Sequence, residues 1–378
     1  MRAVGCLVVA ASCAAMCGAI VSPVMAQSGG GTAAFWKAVQ ARCDATAAQP
    51  SGEIGARVAA VALDEFHRFD GHRIDADGRL VGFGQTEAEQ SLRPTAQMQS
   101  KVGSLAWWRV MQYWQALYGK DAPSKLEVLG FGDAVTTGDG ATEAPLIRTT
   151  TARLLQAAEN EPDPETREVL REAAWRLAII DTPWSAAFVS YVVRKAGAAD
   201  KTFRFSNAHW GYIYDAFATS SAEVEGKDDA HLYRACPLET TVPRPGDIVC
   251  RQRDRKLDGA SDRAVRDRIV GELAGGPLGY TVRATHCEVV AFIDAPARKL
   301  YTVSGNVEQA VTARKLNLRA DMKFSAAQGR CEGNGHWNLP KPQDTSGAQR
   351  ASMPHGNCSL NDKNWFVLLQ VRSGKDAR

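Results

Sequence analysis

In the first half of the chain apolar residues recur at helical spacing; in the second half they gather into short alternating or continuous runs. Phe35 to Ala47 and Ile54 to Phe69 predict two amphipathic helices, the second with Val58, Val61, Ala62, Phe66 and Phe69 along one side. A third helix is predicted from about Ser100 to Tyr118. It carries Trp107, Trp108, Tyr113 and Trp114, and so much aromatic surface argues for a place in the core more than for a sugar platform. Pro162 and Pro164 open a fourth helix, Glu165 to Ile180. Arg73 to Thr86 reads as a Gly/Asp-rich loop. From Gly246 the period changes. Gly246 to Cys250, Cys287 to Ile293, Lys299 to Val303, Ala310 to Lys315 and Trp365 to Val371 are β-branched or aromatic runs bounded by turn residues, and predict five strands.

Helices followed by strands define an α+β class, with helices packed on a mainly antiparallel sheet and an N-terminal helical cap. Two polar stretches, 251–282 and 320–361, are too long for hairpin turns and are expected as surface excursions beside a cleft.

Composition narrows the setting. The chain has 378 residues, 45% of them hydrophobic, enough for a full apolar core. The 45 Lys and Arg are interspersed with 42 Asp and Glu, so no basic stripe marks a nucleic-acid partner. Val4 to Val21 is an apolar run after Arg2, and Pro23-Val24-Met25-Ala26 ends it with a helix breaker and a Val-x-Ala cleavage pattern. This reads as a signal peptide over 1–26, with an uncleaved membrane anchor as the alternative. A stub and first helix over 27–52 and one domain over 53–372 then make up an exported protein, periplasmic or secreted, with no membrane association after cleavage. Of the nine cysteines, six lie beyond the cleavage point. In an exported chain an even number suits disulfides, and Cys331 with Cys358 and Cys236 with Cys250 are the expected pairs, buried free thiols being an equal alternative for the second. With no Gly-x-Gly-x-x-Gly, Walker loop, Cys-x-x-Cys or His-Glu-x-x-His in the sequence, no cofactor and no metal is expected. His336 and His355 are the least poor metal candidates among the scattered histidines.

The most informative stretch is Asp181-Thr182-Pro183-Trp184-Ser185-Ala186-Ala187-Phe188-Val189-Ser190-Tyr191, closing at Gly197. Thr182 as N-cap and Pro183 as the first helical residue would put Ser185 in the first turn of a helix. There the free N–H groups and the positive end of the dipole surround a nucleophile and can hold an oxyanion.

Pro-Trp-Ser-Ala-Ala-Phe-Val-Ser-Tyr-Val resembles the nucleophile helix of the NlpC-type and CHAP cell-wall hydrolases, which are papain-like and carry Cys where Ser185 stands. Pro245 to Val249 resembles their Pro-Gly-Asp strand, Thr285 to Val290 their His-bearing strand, and Ser304-Gly305-Asn306-Val307 their Gly-Gly-Asn element. The set is more closely similar to the bacterial family called domain of unknown function 2272, in which the Trp-Ser form, a Phe-x-x-Ser-x-Ala-His segment ending at His209, and His-Cys occur together. The resemblance spans roughly Val58 to Val371. It implies a papain-like core and hydrolysis of a peptide or amide bond in cell-wall peptidoglycan stems.

The resemblance implies Ser185 as nucleophile, His286 as base and Asn306 as orienting amide, in the papain-like order. A thiol can ionise beside a histidine, whereas a serine must lose its proton as it attacks. The set is therefore either a working Ser-His-Asn hydrolase, a serine esterase or acyltransferase, or a non-catalytic cell-wall or protein-binding module that has lost its thiol. Trp184, His209, Asp247 and Glu288 are expected to line the substrate cleft. Cys287, next to His286 on a strand, should face the other way as a structural cysteine. Glu65 reads as an ion-paired carboxylate more than a cleft residue.

Overall fold

The computed structural model describes residues 31–87, 105–140, 142–227, 229–275, 279–329 and 359–372. The expected signal peptide, the Cys331–Cys358 bridge and both His336 and His355 lie outside the described residues. Among the described residues no helix is long and apolar enough to cross a membrane.

The helices of eight or more residues are α1 (Ala33–Ala47), α2 (Gly52–Arg68), α3 (Ala106–Tyr118), α4 (Thr151–Ala158), α5 (Pro164–Asp181), α6 (Ser185–Lys195), α7 (His209–Val224) and α8 (Asp262–Ala274). Local chemistry sets their ends. Thr32 caps α1 by accepting the Phe35 N–H at 3.1 Å, and Asp163 caps α5 by accepting the Thr166 N–H at 2.7 Å, with Pro164 at the first position. The strands of three or more residues are β1 (His72–Ile74), β2 (Leu80–Gly82), β3 (Glu127–Phe131), β4 (Leu146–Thr150), β5 (Tyr233–Pro237), β6 (Ile248–Gln252), β7 (Thr285–Asp294), β8 (Lys299–Val307), β9 (Ala310–Asn317) and β10 (Trp365–Val371).

Eight of them form one mixed sheet in the order β2-β1-β9-β8-β7-β6-β10-β5, antiparallel except where β1 runs parallel to β9. The fold is α+β, and β6 to β10 coincide with the five predicted strands. β3 and β4 form a separate hairpin. The aromatic load of α3 is used in the core, as its pattern requires: Trp107 and Trp114 are buried, and Tyr113 packs on Trp184, Phe188 and Tyr191. Glu65 on α2 is buried in the same region, bound by Arg109 at 3.1 Å and by the Tyr113 hydroxyl at 2.6 Å. It is a structural ion pair.

The structure departs from the sequence reading at five places. Arg73 to Thr86 is not a plain loop, because β1 and β2 pair within it and extend the sheet beyond β9. β5 escapes a hydrophobic-pattern search because Arg234 interrupts its apolar run; that guanidinium is buried among partners remote in sequence, with Glu223 on α7 accepting two hydrogen bonds from it, both 2.8 Å, and Thr46 and Gln370 also in reach. The stretch 251–282 is no polar excursion, since it folds into α8, whose buried Arg266 reaches Glu239 at 2.9 Å and the Phe366 carbonyl at 2.7 Å. Thr182 ends α5 instead of capping α6, its hydroxyl tied at 3.1 Å to the backbone of Glu127, so α6 begins at Ser185 itself.

The fifth departure is in the disulfides. Cys236 does not bond Cys250. Cys43–Cys236 ties α1 to β5, and Cys250–Cys287 bridges β6 and β7 at a directly opposed pair. The sequence reading underweights both because each partner lies in a different element. The second bridge fixes the register that sets Arg251 opposite His286.

Candidate active site

Two glycines let the elements around Ser185 approach one another. Gly246, at φ 91°, is the turn before β6; a Cβ there would come within 2.3 Å of the Gly55 carbonyl, so only glycine allows α2 to pack this closely. Gly305 on β8 faces α6, and a Cβ there would meet the Trp184 ring at 2.4 Å. α6 therefore lies directly on the sheet, with Ser185 at its N-terminus. The opening N–H groups of α6 have no partner within the helix and lie at the end where Ser185 stands.

The hydrogen-bond partner of that hydroxyl is not His286. Ser185 Oγ lies 2.7 Å from His209 Nε2, and His209 opens α7. When Nε2 accepts from the serine, Nδ1 carries the ring proton and donates it to the Tyr212 hydroxyl, its partner one helical turn along. Serine, imidazole and phenol thus stand in the relation of nucleophile, base and orienting group. All three are buried.

His286 stands behind this pair as a second ring, 5.1 Å from His209 between centroids and edge-on to it. Its Nε2 lies 3.1 Å from Ser304 Oγ and 3.5 Å from Glu288 Oε1. Ser304 donates its own proton to the Cys287 carbonyl at 3.1 Å, so it accepts from His286 Nε2–H. That leaves His286 Nδ1 as a bare acceptor, buried and without a partner among the described residues.

Glu288 is held by Arg314 at 2.7 Å and by the Thr302 hydroxyl at 2.5 Å. Burial alone would raise its carboxyl, but Arg314, His286 and Thr302 together hold it well below the usual carboxylate range. Both imidazoles are pushed the other way. Burial drives His209 well below its ordinary value, helped by His286, Arg253 and Arg251, and drives His286 down to about 4 against the pull of Glu288. Both rings are neutral near pH 7, which is the state a base requires.

Among the residues read from the sequence, Ser185, His209, His286 and Glu288 come together. Asn306 does not join the imidazoles. It occupies positive φ (54°) in the β-bulge between Ser304 and Val307, which breaks the alternation that would have aligned it with Ser304. Trp184 does not line a cleft either: it is fully buried, donates from Nε1 to Glu87 at 2.5 Å, and stacks on Phe69. Asp247 closes its turn, accepting the N–H groups of Arg244 and Val371, each at 2.8 Å; burial raises its carboxyl to about 6 despite Arg244. Cys287 faces away from His286, in its disulfide. Tyr212, Ser304, Thr302 and Arg314 were not singled out in the sequence. Tyr212 has a signal there, three residues after a helix-opening histidine, and Ser304 opens the Ser304-Gly305-Asn306 element.

An α+β protein with a serine at a helix N-terminus, bonded to one buried neutral histidine and backed by a second, is the class that fold and site define. The chain belongs to the bacterial family DUF2272, described as an uncharacterized protein conserved in bacteria, whose model matches residues 101–371. No curated protein and no solved structure matches it.

Proposed function

We propose that the protein is an exported serine hydrolase that cleaves a peptide or amide bond in cell-wall peptide stems. The observation that carries this reading is the 2.7 Å contact between Ser185 Oγ and a neutral His209 at the opening of α6. In the reaction, Ser185 Oγ attacks the substrate carbonyl while His209 Nε2 takes its proton, and Tyr212 accepts the Nδ1–H that fixes the ring. The N–H groups that open α6 stabilise the oxyanion. His209 returns the proton to the leaving amine, and water then releases the acyl group by the same route.

The substrate class is supported by the resemblance of the Trp184-Ser185, Pro245–Val249 and Thr285–Val290 sequence motifs to those of cell-wall hydrolases, and the exported setting by the N-terminal pattern and the two disulfides. A second reading, a cell-wall binding module without turnover, draws on the burial of Ser185 and both histidines. Incubation with purified sacculi separates the two. We expect soluble stem peptides from the wild type and none from Ser185→Ala; binding without product in both would favour the module.

A further inference from the structure

Three cations gather on the sheet beside the two histidines. Arg251 on β6 is the register partner of His286 and, on its other side, of Trp365. Arg253 extends the same strand, its N–H donating to the Ala284 carbonyl at 2.7 Å, so alternation sends both guanidiniums to the His286 side. Lys363 precedes Trp365 by two, where the Gln252 N–H reaches the Asn364 carbonyl at 3.0 Å. The cluster runs from the buried His286 through half-buried Arg251 and Lys363 to exposed Arg253.

Among the described residues no carboxylate is paired with these charges. Arg251 Nε is buried with no hydrogen-bond partner, and among the described residues none of the three side chains makes an ion pair. The nearest carboxylates do not neutralise them: Glu288 is bound by Arg314, and Glu308 and Asp362 act only at a distance. Burial disfavours the charged form of all three. Burial first, then Arg314 and Arg253, pull Arg251 down to about 9, and burial with Arg251 and Arg314 pulls Lys363 down to about 8. Half-buried cations without partners are costly unless an anion completes them.

We propose that Arg251, Arg253 and Lys363 form a subsite for a carboxylate of the substrate, beside the bond presented to Ser185. The planar guanidinium fork of Arg251 suits a carboxylate, and Lys363 adds a point charge. Assigning that carboxylate to the substrate rests on the hydrolase reading above; the anion site itself rests on the cluster.

The test uses the full chain as Ser185→Ala, so that binding is read without turnover. The probes are the synthetic stem peptide L-Ala-γ-D-Glu-L-Lys-D-Ala with its carboxylates free, and the same peptide with both amidated. By calorimetry the free form is expected to bind about tenfold or more tightly. Arg251→Gln should close most of that gap, and Arg251→Lys should retain part of it. The comparison of the two peptides needs no variant in the cluster, so it stands even if Arg251→Gln folds poorly. Equal affinities, no binding of either peptide, or a preference that survives Arg251→Gln would overturn the subsite. Wild-type cleavage of both forms with equal affinity would remove the subsite and leave the hydrolase; carboxylate-dependent binding without any cleavage would do the reverse.

Discussion

His209→Ala should reduce hydrolysis as far as Ser185→Ala does, by about 10⁴-fold or more, because a serine without its base and a base without its serine are equally idle. His286→Ala should cost less, since its ring stands one layer behind the pair and touches the serine only through His209. Asn306→Ala should leave kcat nearly unchanged. This order differs from the one that the papain-like spacing implies, in which His286 would be indispensable and Asn306 partly so. Steady-state kinetics on solubilised stem peptides decide between them. Loss in His286→Ala equal to that in Ser185→Ala, with His209→Ala active, would restore the spacing-based assignment.

The neutral histidines should also weaken the fold in acid. In the unfolded chain an imidazole titrates near 6.5, while in the folded protein His286 takes its proton only at about 4. Between these values the unfolded state binds more protons, so stability falls as pH falls. The window runs from about 6.5 down to about 4, and His286 alone accounts for about 3 kcal/mol across it. His209 acts in the same direction. Glu87, raised by burial to about 7, and Asp247, raised to about 6, act in the opposite direction over part of the same range, so the histidine contribution is read as a difference. Urea unfolding at pH 7, 5 and 4 should show the wild type losing about 3 kcal/mol relative to His286→Gln on acidification. Parallel losses in the two proteins would contradict the buried, neutral state of that ring.

Much of this architecture is legible in the sequence where one residue type carries the signal by itself. The five strands after Gly246 announce themselves by β-branched runs, and Ser185 by its place at a helix start. What is hidden depends on partners remote in sequence. Arg234 reads as a surface residue until Glu223 is set against it, and Cys43 has no evident mate until α1 lies on β5. The site shows the same division. His209 and His286 are both visible as candidates, but which one meets the serine depends on how α6 and α7 each pack on the sheet, an outcome that no local spacing encodes. Asn306 fails for a local reason, the bulge, that a single sequence does not mark. Trp184 reads as a cleft residue, yet its indole wedges α6 against the core.

The central claim is that Ser185 is activated by His209, and covalent labelling tests it without knowledge of the natural substrate. A fluorophosphonate at neutral pH should modify the wild type at one residue, mapped by mass spectrometry to Ser185. Asn306→Ala should label at a similar rate and His209→Ala should not label. An unmodified Ser185 in the wild type, or equal labelling after His209→Ala, would contradict the account.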